Sequence, residues 1–550
     1  MSVSAPRRAR VRRPAGRRTG AGHPDPRRTS WLARLGYAHG PWLSCVAFIL
    51  VIWYIGAETV AGNGLVLPSP LAVARSLVTD WWIIGPALQA TVLNTLRALL
   101  WGAVIAVAAA VVAASVRPLR TLVTRQLTLA FCLPLSAVAP LIFLLATDPG
   151  PQIILGAIAT VFPVYITVLQ GLTGRHRDWE DMTAVLGGGR VRYFLRVQVP
   201  AASGQLLAAA RLAFPAAVLG VTLGEYFGGT NGIGVLLLTS ASQLDAPRAY
   251  ALGLVVIALC SVSYLFFLAL ERRLPWAATS ALAEAAPAGG RAGRVWVSEI
   301  GGALLALVVM FAAWWVAFLV IPANTYLVSP LAALRALGAG AGPLLPALGQ
   351  SALSVLAGYC ISVVVAFVFS AVTVSSRFAE RAVMPLALLI GSVPITVVTP
   401  LLPLILGRGT ATTIAICAIV SLFPGFVSMT TGMRSVPADL VDYVRVSGGS
   451  RLAELFTVRV PAAVPSIVSA GKLTLPAALS GVILAEVIAT GTGIGNYINF
   501  AKANFDYAQM WGGIVAALVL SVLAYAVLAA CERALVSRYG PAAPASAGRR

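Results

Sequence analysis

Charge is scarce in this 550-residue chain: Asp, Glu, Lys and Arg make up 11% of it, against about 25% in an ordinary soluble domain, which excludes a water-soluble globular fold. Acid is scarcer than base, with 19 Asp and Glu against 40 Lys and Arg. The acids cluster in loops and at the ends of apolar runs, whereas an ion-coupled carrier needs them at mid-membrane. The three histidines, His23, His39 and His176, lie in basic stretches. The six cysteines, Cys45, Cys132, Cys260, Cys360, Cys417 and Cys531, lie in or beside apolar runs without C-x-x-C spacing. Neither set reads as a metal site, a disulfide framework or an embedded catalytic constellation. A phosphate-cradling loop is missing too. The one Gly-Lys pair, Gly471-Lys472, has Ser466 where G-x-x-x-x-G-K-[ST] requires glycine, and Leu473 follows it. This chain is therefore not expected to be an enzyme or to hold a cofactor of its own.

Apolar sequence is abundant: 59% of residues are hydrophobic and the mean hydropathy is +0.87. Windows of about 20 apolar residues cross a bilayer core as helices. They fall at 41–60, 89–115, 124–147, 151–172, 202–226 and 248–270, and again at 302–321, 350–374, 383–407, 409–431, 463–488 and 511–531. The expected fold is an all-α polytopic membrane protein with about twelve spans. Expected boundaries are a disordered Arg-rich tail at 1–40, six spans within 41–274, an Ala/Gly-rich linker at 275–300, six more spans within 301–535, and a tail at 536–550.

The net charge of +21 is distributed by topology, which argues against nucleic acid as its target. Ten arginines precede the first span against one acid, Asp25. Loops after the even-numbered spans hold Arg117, Arg120, Arg125, Arg175, Arg177, Arg190, Arg192 and Arg196, and then Arg377, Arg381, Arg434, Arg445, Arg451 and Arg459. The positive-inside rule places those loops and both termini on the cytosolic side of the membrane.

The two sets of spans repeat one sequence. Leu67-Pro-Ser-Pro-Leu-Ala-Val-Ala-Arg75 recurs as Leu327-Val-Ser-Pro-Leu-Ala-Ala-Leu-Arg335, and Pro134 and Pro140 as Pro394 and Pro400, at an offset of 260. Beyond one insertion the offset is 261, matching Pro163 to Pro424, Arg211 to Lys472, Pro215 to Pro476 and Glu225 to Glu486. An even number of spans per copy puts both copies in the same orientation, with a path expected between them.

The longest inside loop of each copy shares a pattern. Asp181, Gly187, Arg190, Phe194 and Pro200 recur as Asp442, Gly448, Arg451, Phe456 and Pro461. An acid, a glycine six residues on and a proline thirteen beyond it read as a short helix, a glycine turn, an amphipathic helix and the start of a span. One copy alone is equally an amphipathic helix lying on the headgroups. Two copies at one topological position point to a two-fold symmetric partner.

This pattern resembles the E-A-A-x-x-x-G loop of bacterial ABC-importer permeases, with Asp181-Met182-Thr183 and Asp442-Tyr443-Val444 in place of Glu-Ala-Ala. Gly224-Glu225-Tyr226 and Ala485-Glu486-Val487, each followed by Gly-Ile-Gly, resemble the family's segment closing the fifth span. Leu67-Pro-Ser-Pro70 is similar to the nitrate, sulfonate and taurine branch. The resemblance implies two type I permease repeats and coupling loops that dock on a cytosolic ABC ATPase dimer carrying the ATP and Mg. It also implies an extracytoplasmic solute-binding protein and a small solute such as nitrate, a sulfonate, taurine or a thiamine precursor. Ferric-iron or thiamine tandem permeases are the alternative, and an ion-coupled transporter the remote one. Lipid is the surrounding medium. Paired Pro215 and Pro476 in the fifth spans are candidates for the translocation pathway, as are Glu225 and Glu486 at their outer ends where water is expected to reach, although structural hydrogen bonding at the outer rim is the reading favoured for the two acids over contact with substrate.

Overall fold

The computed structural model describes residues 31–59, 67–173, 177–273, 295–321, 326–391 and 393–539, and every regular element among them is helical. The first repeat runs α1 (Trp31–Thr59), α2 (Pro70–Thr79), α3 (Trp81–Ser115), α4 (Arg117–Cys132), α5 (Leu135–Leu145), α6 (Gly150–Thr173), α7 (Arg177–Val185), α8 (Arg190–Tyr193), α9 (Val199–Tyr226), α10 (Ile233–Ser242) and α11 (Ala246–Arg273). The second runs α12 (Val295–Val320), α13 (Pro330–Ala339), α14 (Ala341–Ser375), α15 (Arg377–Gly391), α16 (Ile395–Val398), α17 (Leu402–Leu406), α18 (Thr410–Arg434), α19 (Ala438–Val446), α20 (Arg451–Glu454), α21 (Val460–Ala485), α22 (Gly493–Ala503) and α23 (Tyr507–Tyr539).

Helix boundaries differ from the sequence reading at three places. The first helix begins at Trp31, inside the tail expected at 1–40, because Leu32, Ala33 and Leu35 are helix formers and no proline intervenes before Pro41. Helix α12 begins at Val295, inside the expected linker, and α23 ends at Tyr539, beyond 535. The rest of both tails and of the linker, and His176, lie outside the described residues.

Eight helices among the described residues are long and apolar enough to cross a bilayer, ten if each of two bent pairs counts as one span. The third span of the first repeat is one of those pairs. It breaks between α4 and α5 with a bend of 92°. Leu133 and Pro134 are both extended there, as a residue before proline prefers and as a proline lacking its N–H permits. Pro394 is extended in the same way between α15 and α16.

The L-x-S-P motif has a physical role in each copy. Ser69 Oγ accepts from the Ala72 N–H at 3.3 Å with Pro70 opening α2, and Ser329 Oγ accepts from Ala332 at 3.2 Å with Pro330 opening α13. This is an N-cap followed by an N1 proline. Trp53 Nε1 donates to the Pro68 carbonyl at 3.0 Å and Trp314 Nε1 to Val328 at 3.1 Å, tying each motif to the preceding helix.

In each repeat three helices pack as a sheet of rods, α3, α6 and α9 in one and α14, α18 and α21 in the other. Small residues let the backbones approach, as expected where lipid offers no hydrophobic drive between helices. A Cβ on Gly220 would lie 2.5 Å from the Leu155 carbonyl oxygen. The opposite faces are apolar and bare: Leu93, Leu96, Leu100 and Val104 on α3, and Leu353, Leu356, Val364 and Val368 on α14. A stripe of that length belongs in hydrocarbon.

The repeats embrace each other. Helix α1 packs on α15 and α12 on α4, while α5 packs on α21 and α16 on α9. Ala137 and Leu141 of α5 lie in one buried cluster with Leu475, Leu479 and Val482 of α21, and Val397 of α16 lies among Phe214, Val218 and Leu252.

One ionic staple belongs to the first repeat alone. Arg248 donates from Nε and Nη2 to the two oxygens of Asp80 at 3.1 and 3.2 Å, and also pairs with Asp245 at 3.2 Å. The positions matching Asp80 and Arg248 are Gly340 and Gln509. The guanidinium of Arg248 holds the Asp80 carboxyl below its usual value of 3.8. A depressed carboxyl contributes its stability above the unfolded value and loses it as pH falls through the folded one. The melting temperature of the wild type is therefore expected to fall more steeply than that of Asp80→Asn below about pH 4, the two curves converging in acid. Parallel curves from thermal denaturation across pH would rule the staple out.

Candidate functional site

The halves meet where the third spans break. Ser136, two residues after Pro134, donates its N–H to Ser480 Oγ at 3.1 Å and its hydroxyl to the Ser480 carbonyl at 2.6 Å. Thr396, two residues after Pro394, shares a 2.6 Å hydrogen bond between hydroxyls with Thr222, and its carbonyl accepts from the Tyr226 hydroxyl at 2.5 Å. Each break is thus docked on the fifth span of the other repeat. These contacts carry hydroxyls and backbone, and no charged side chain takes part in them. The expected pathway residues Pro215 and Pro476 lie on the same fifth spans, but α9 and α21 run through them as continuous helices. The break that proline makes falls in the third span instead, where the residues following it are held by the opposite repeat.

Glu225 and Glu486 are 1% and 2% exposed, so water does not reach them as expected. Each sits in a cage of the same design. Glu225 accepts from Thr91 Oγ1 at 2.8 Å and from the Gly234 N–H at 2.7 Å, while the Ile233 N–H donates to Thr91 Oγ1 at 2.8 Å. Glu486 accepts from Ser351 Oγ at 2.6 Å and from the Gly495 N–H at 2.8 Å, with the Ile494 N–H donating to Ser351 at 3.0 Å. The carboxylate takes the orphan amides at the start of α10 or α22, where the helix dipole favours negative charge. It ties that helix to the second and fifth spans. Gly232 and Gly493 complete the cage: φ is +134° and +82°, and a Cβ would stand 2.2 and 2.1 Å from a carboxylate oxygen.

The long loops share a plan, with differences. Gly187 and Gly448, at φ +69° and +81°, turn α7 and α19 back into α8 and α20. A π-helical turn, Phe194–Gln198 or Leu455–Arg459, then leads into the fifth span, whose second residue is Pro200 or Pro461. Gln198 donates to the Leu172 carbonyl at 2.9 Å and Arg459 to Met433 at 3.2 Å, pinning each loop to the end of the fourth span. Asp181 and Asp442 are exposed, Asp442 reaching Arg445 only at 3.9 Å. Arg190 opens α8, its side chain lying outside the described residues, and Arg451 opens α20, exposed.

Phe194 and Phe456 are not equivalent. Phe194 packs beside the buried cluster of Val164, Val168 and Ala202, where its match at the 261 offset is buried Leu455. Phe456 is exposed, like its own match Leu195. Two aromatics one register position apart look alike in sequence, and only the packing separates them.

Both short helices present apolar side chains outward. Met182 and Val185 on α7 and Tyr443 and Val446 on α19 are bare, Val185 at 86% and Val446 at 89%. Arg211 and Lys472, in the fifth spans, pair with Glu271 at 3.2 Å and with Glu532. Among the described residues no group of three His, Cys, Asp or Glu side chains could hold a metal ion.

The family described as "Binding-protein-dependent transport system inner membrane component" matches residues 102–275 and 358–540, once per repeat. The chain belongs to this family. It is an ABC transporter permease, a multi-pass inner-membrane transport component. It is 28% identical over 221 residues to the "Probable ABC transporter permease protein" of Haemophilus influenzae, 40% of this chain and 90% of that one. It is 25% identical over 234 residues to the formylaminopyrimidine transport permease protein ThiX of Halalkalibacterium halodurans, 42% and 92%. It is 26% identical over 160 residues to the riboflavin transport system permease protein RibX of Chloroflexus aurantiacus, 29% and 60%. The alignments to the first two fill nine-tenths of the relative and less than half of this permease, so those relatives are about one repeat long.

Sequence reading missed the interface hydroxyls Ser136, Thr396, Thr222 and Ser480 and the cage partners Thr91 and Ser351. A signal existed for some of them: Ser136 matches Thr396 and Thr91 matches Ser351 at the 260 offset. The cages predict a measurable loss. Glu486→Ala strands the Ser351 hydroxyl and the Gly495 amide in the interior, at about 1–3 kcal/mol, and Gly493→Ala adds a clash to an unfavourable φ. Both are expected to lower the melting temperature of the purified permease, whereas Arg335→Ala, at an exposed position of α13, leaves it unchanged; equal melting of all three would refute the cage.

Proposed function

We propose that this permease forms the transmembrane path of an ATP-driven importer, with loops 181–200 and 442–461 as the docking surface for a cytosolic ABC ATPase dimer. The observation that carries this is the pair of bare apolar patches, Met182 with Val185 and Tyr443 with Val446, at matched positions on the two halves. A soluble partner with two equivalent clefts buries both patches at once, and two sites on one rigid frame bind far more tightly than one. With those loops in the cytosol, both termini lie there too, as the arginine distribution favours. ATP and Mg belong to the partner.

Drawing the loops together moves the fifth spans that follow them. The fifth spans carry Ser480, Thr222 and Tyr226, so loop motion reaches the Ser136 and Thr396 contacts directly. Opening and closing of those contacts is the proposed gate, and a binding protein on the opposite side delivers the solute. The relatives are named for formylaminopyrimidine, riboflavin and, in Bacillus subtilis, aliphatic sulfonates. A small organic solute held by hydrogen bonds suits the hydroxyl-lined interface, with the sulfonate and thiamine-precursor classes first to test.

Two experiments check this reading. The double variant Val185→Glu/Val446→Glu, co-expressed with its ATPase, is expected to reach the membrane normally and lose ATPase on affinity purification; stoichiometric retention would sink the docking surface. In a background without native cysteines, Ser136→Cys/Ser480→Cys is expected to crosslink under oxidation and stop uptake, with reduction restoring it. Unchanged uptake by the crosslinked protein would remove the gate.

A further inference from the structure

The second repeat holds a cavity of about 520 Å³ that the fold of the coupling loop does not require. It opens between the end of α14, the start of α15 and the α19–α21 loop, and is lined by Arg445, Arg451, Arg459, Glu380, Glu454 and Ser376 among others. We propose that it binds an anion bearing a phosphate ester.

The acids in its wall are already engaged. Glu454, buried, takes Arg459 at 2.6 Å and Arg445 at 3.0 Å, while Glu380 takes Arg434 at 3.0 Å. Asp442 stands 3.9 Å from Arg445 and is largely in solvent. Three arginines and two acids therefore line the cavity, and Arg451 has no ion pair among the described residues. A second basic fork, Arg445, stands half free beside it. Planar guanidinium groups of this kind suit phosphate oxygens, which accept two parallel hydrogen bonds from each fork.

The first repeat shows that the cavity is a separate feature. At the positions of Glu380, Arg445, Glu454 and Arg459 it carries Arg120, Ala184, Tyr193 and Gln198. Tyr193 is buried where Glu454 stands, and the loop turns at Gly187 as its counterpart does at Gly448, with Ala184, Tyr193 and Gln198 unable to make the ion pairs of Glu454. The size fits an ester better than a bare ion, since small-molecule sites run from about 300 to 1,000 Å³. Its depth is that of a headgroup: exposed Val368 and Val372 end the lipid-facing stripe of α14 just before Val374 enters the cavity wall. The ester therefore comes from an anionic lipid or from a soluble metabolite. Bound to Arg451 and Arg445, it would fasten one coupling loop, and not the other, to the membrane-facing frame.

The test uses the full chain in phosphatidylcholine nanodiscs. One arm adds phosphatidylglycerol to the bilayer and counts retained lipid by native mass spectrometry. The other adds glycerol 3-phosphate to the buffer and follows binding by calorimetry. Arg451→Ala, which breaks no ion pair, is expected to weaken binding about tenfold in one arm, while Arg192→Ala, an exposed arginine of the first repeat, leaves it unchanged. Loss in the lipid arm assigns the site to a headgroup, and loss in the soluble arm to a metabolite. No binding in either arm, or equal loss in both variants, overturns the proposal.

Discussion

A helix that breaks inside a membrane frees amides and carbonyls that lipid cannot satisfy, and other protein must take them. The third segment of each repeat breaks at a proline, and the other repeat supplies what is needed. Ser480 receives the Ser136 amide and hydroxyl, and Tyr226 donates to the Thr396 carbonyl. The two copies are bound to each other by the hydroxyl and backbone groups at the breaks of their third spans.

Around that centre the carboxylate cages fix the outer short helices to the spans. Glu225 and Glu486 are costly residues to bury, and the cost is offset by a hydroxyl, a backbone amide and a helix N-terminus brought together at one point. The same design occurs twice, with threonine serving in one copy and serine in the other. Each fifth span is thereby tied to α10 or α22 at one end and continues from the long loop at the other. The ion pairs differ more than the cages do. The first repeat has its staple at Asp80 and Arg248, the second has Glu454 with Arg445 and Arg459, and each leaves the matched position of the other copy neutral. Fusion of the repeats on one chain allows that divergence, because each copy meets only one partner.

Much of this was legible in the sequence. Hydrophobic length and arginine placement gave the spans, and the 260-residue register gave the two-fold relation. The glycine of each long loop announced a turn, since that is local backbone chemistry. Less legible was the count of straight spans, because the window 124–147 is apolar enough to be one helix and only Leu133-Pro134 stands against it. Pro215 and Pro476 sit equally inside apolar windows and leave their helices unbroken. Phe194 and Phe456 were paired by appearance, while their burial follows from a register that packing sets.

The sequence by itself determined the class of molecule, its repeat and the chemistry of its loops, because composition, periodicity and backbone preference act over a few residues at a time. Only the tertiary structure decided that Ser136 meets Ser480, that Thr91 completes the cage of Glu225, and that Arg451 borders a cavity while Arg445 and Arg459 share one carboxylate. The first two contacts join residues 344 and 134 positions apart and the last reach across the turn of a loop, so their partners are chosen by how the helices and the two copies close on one another.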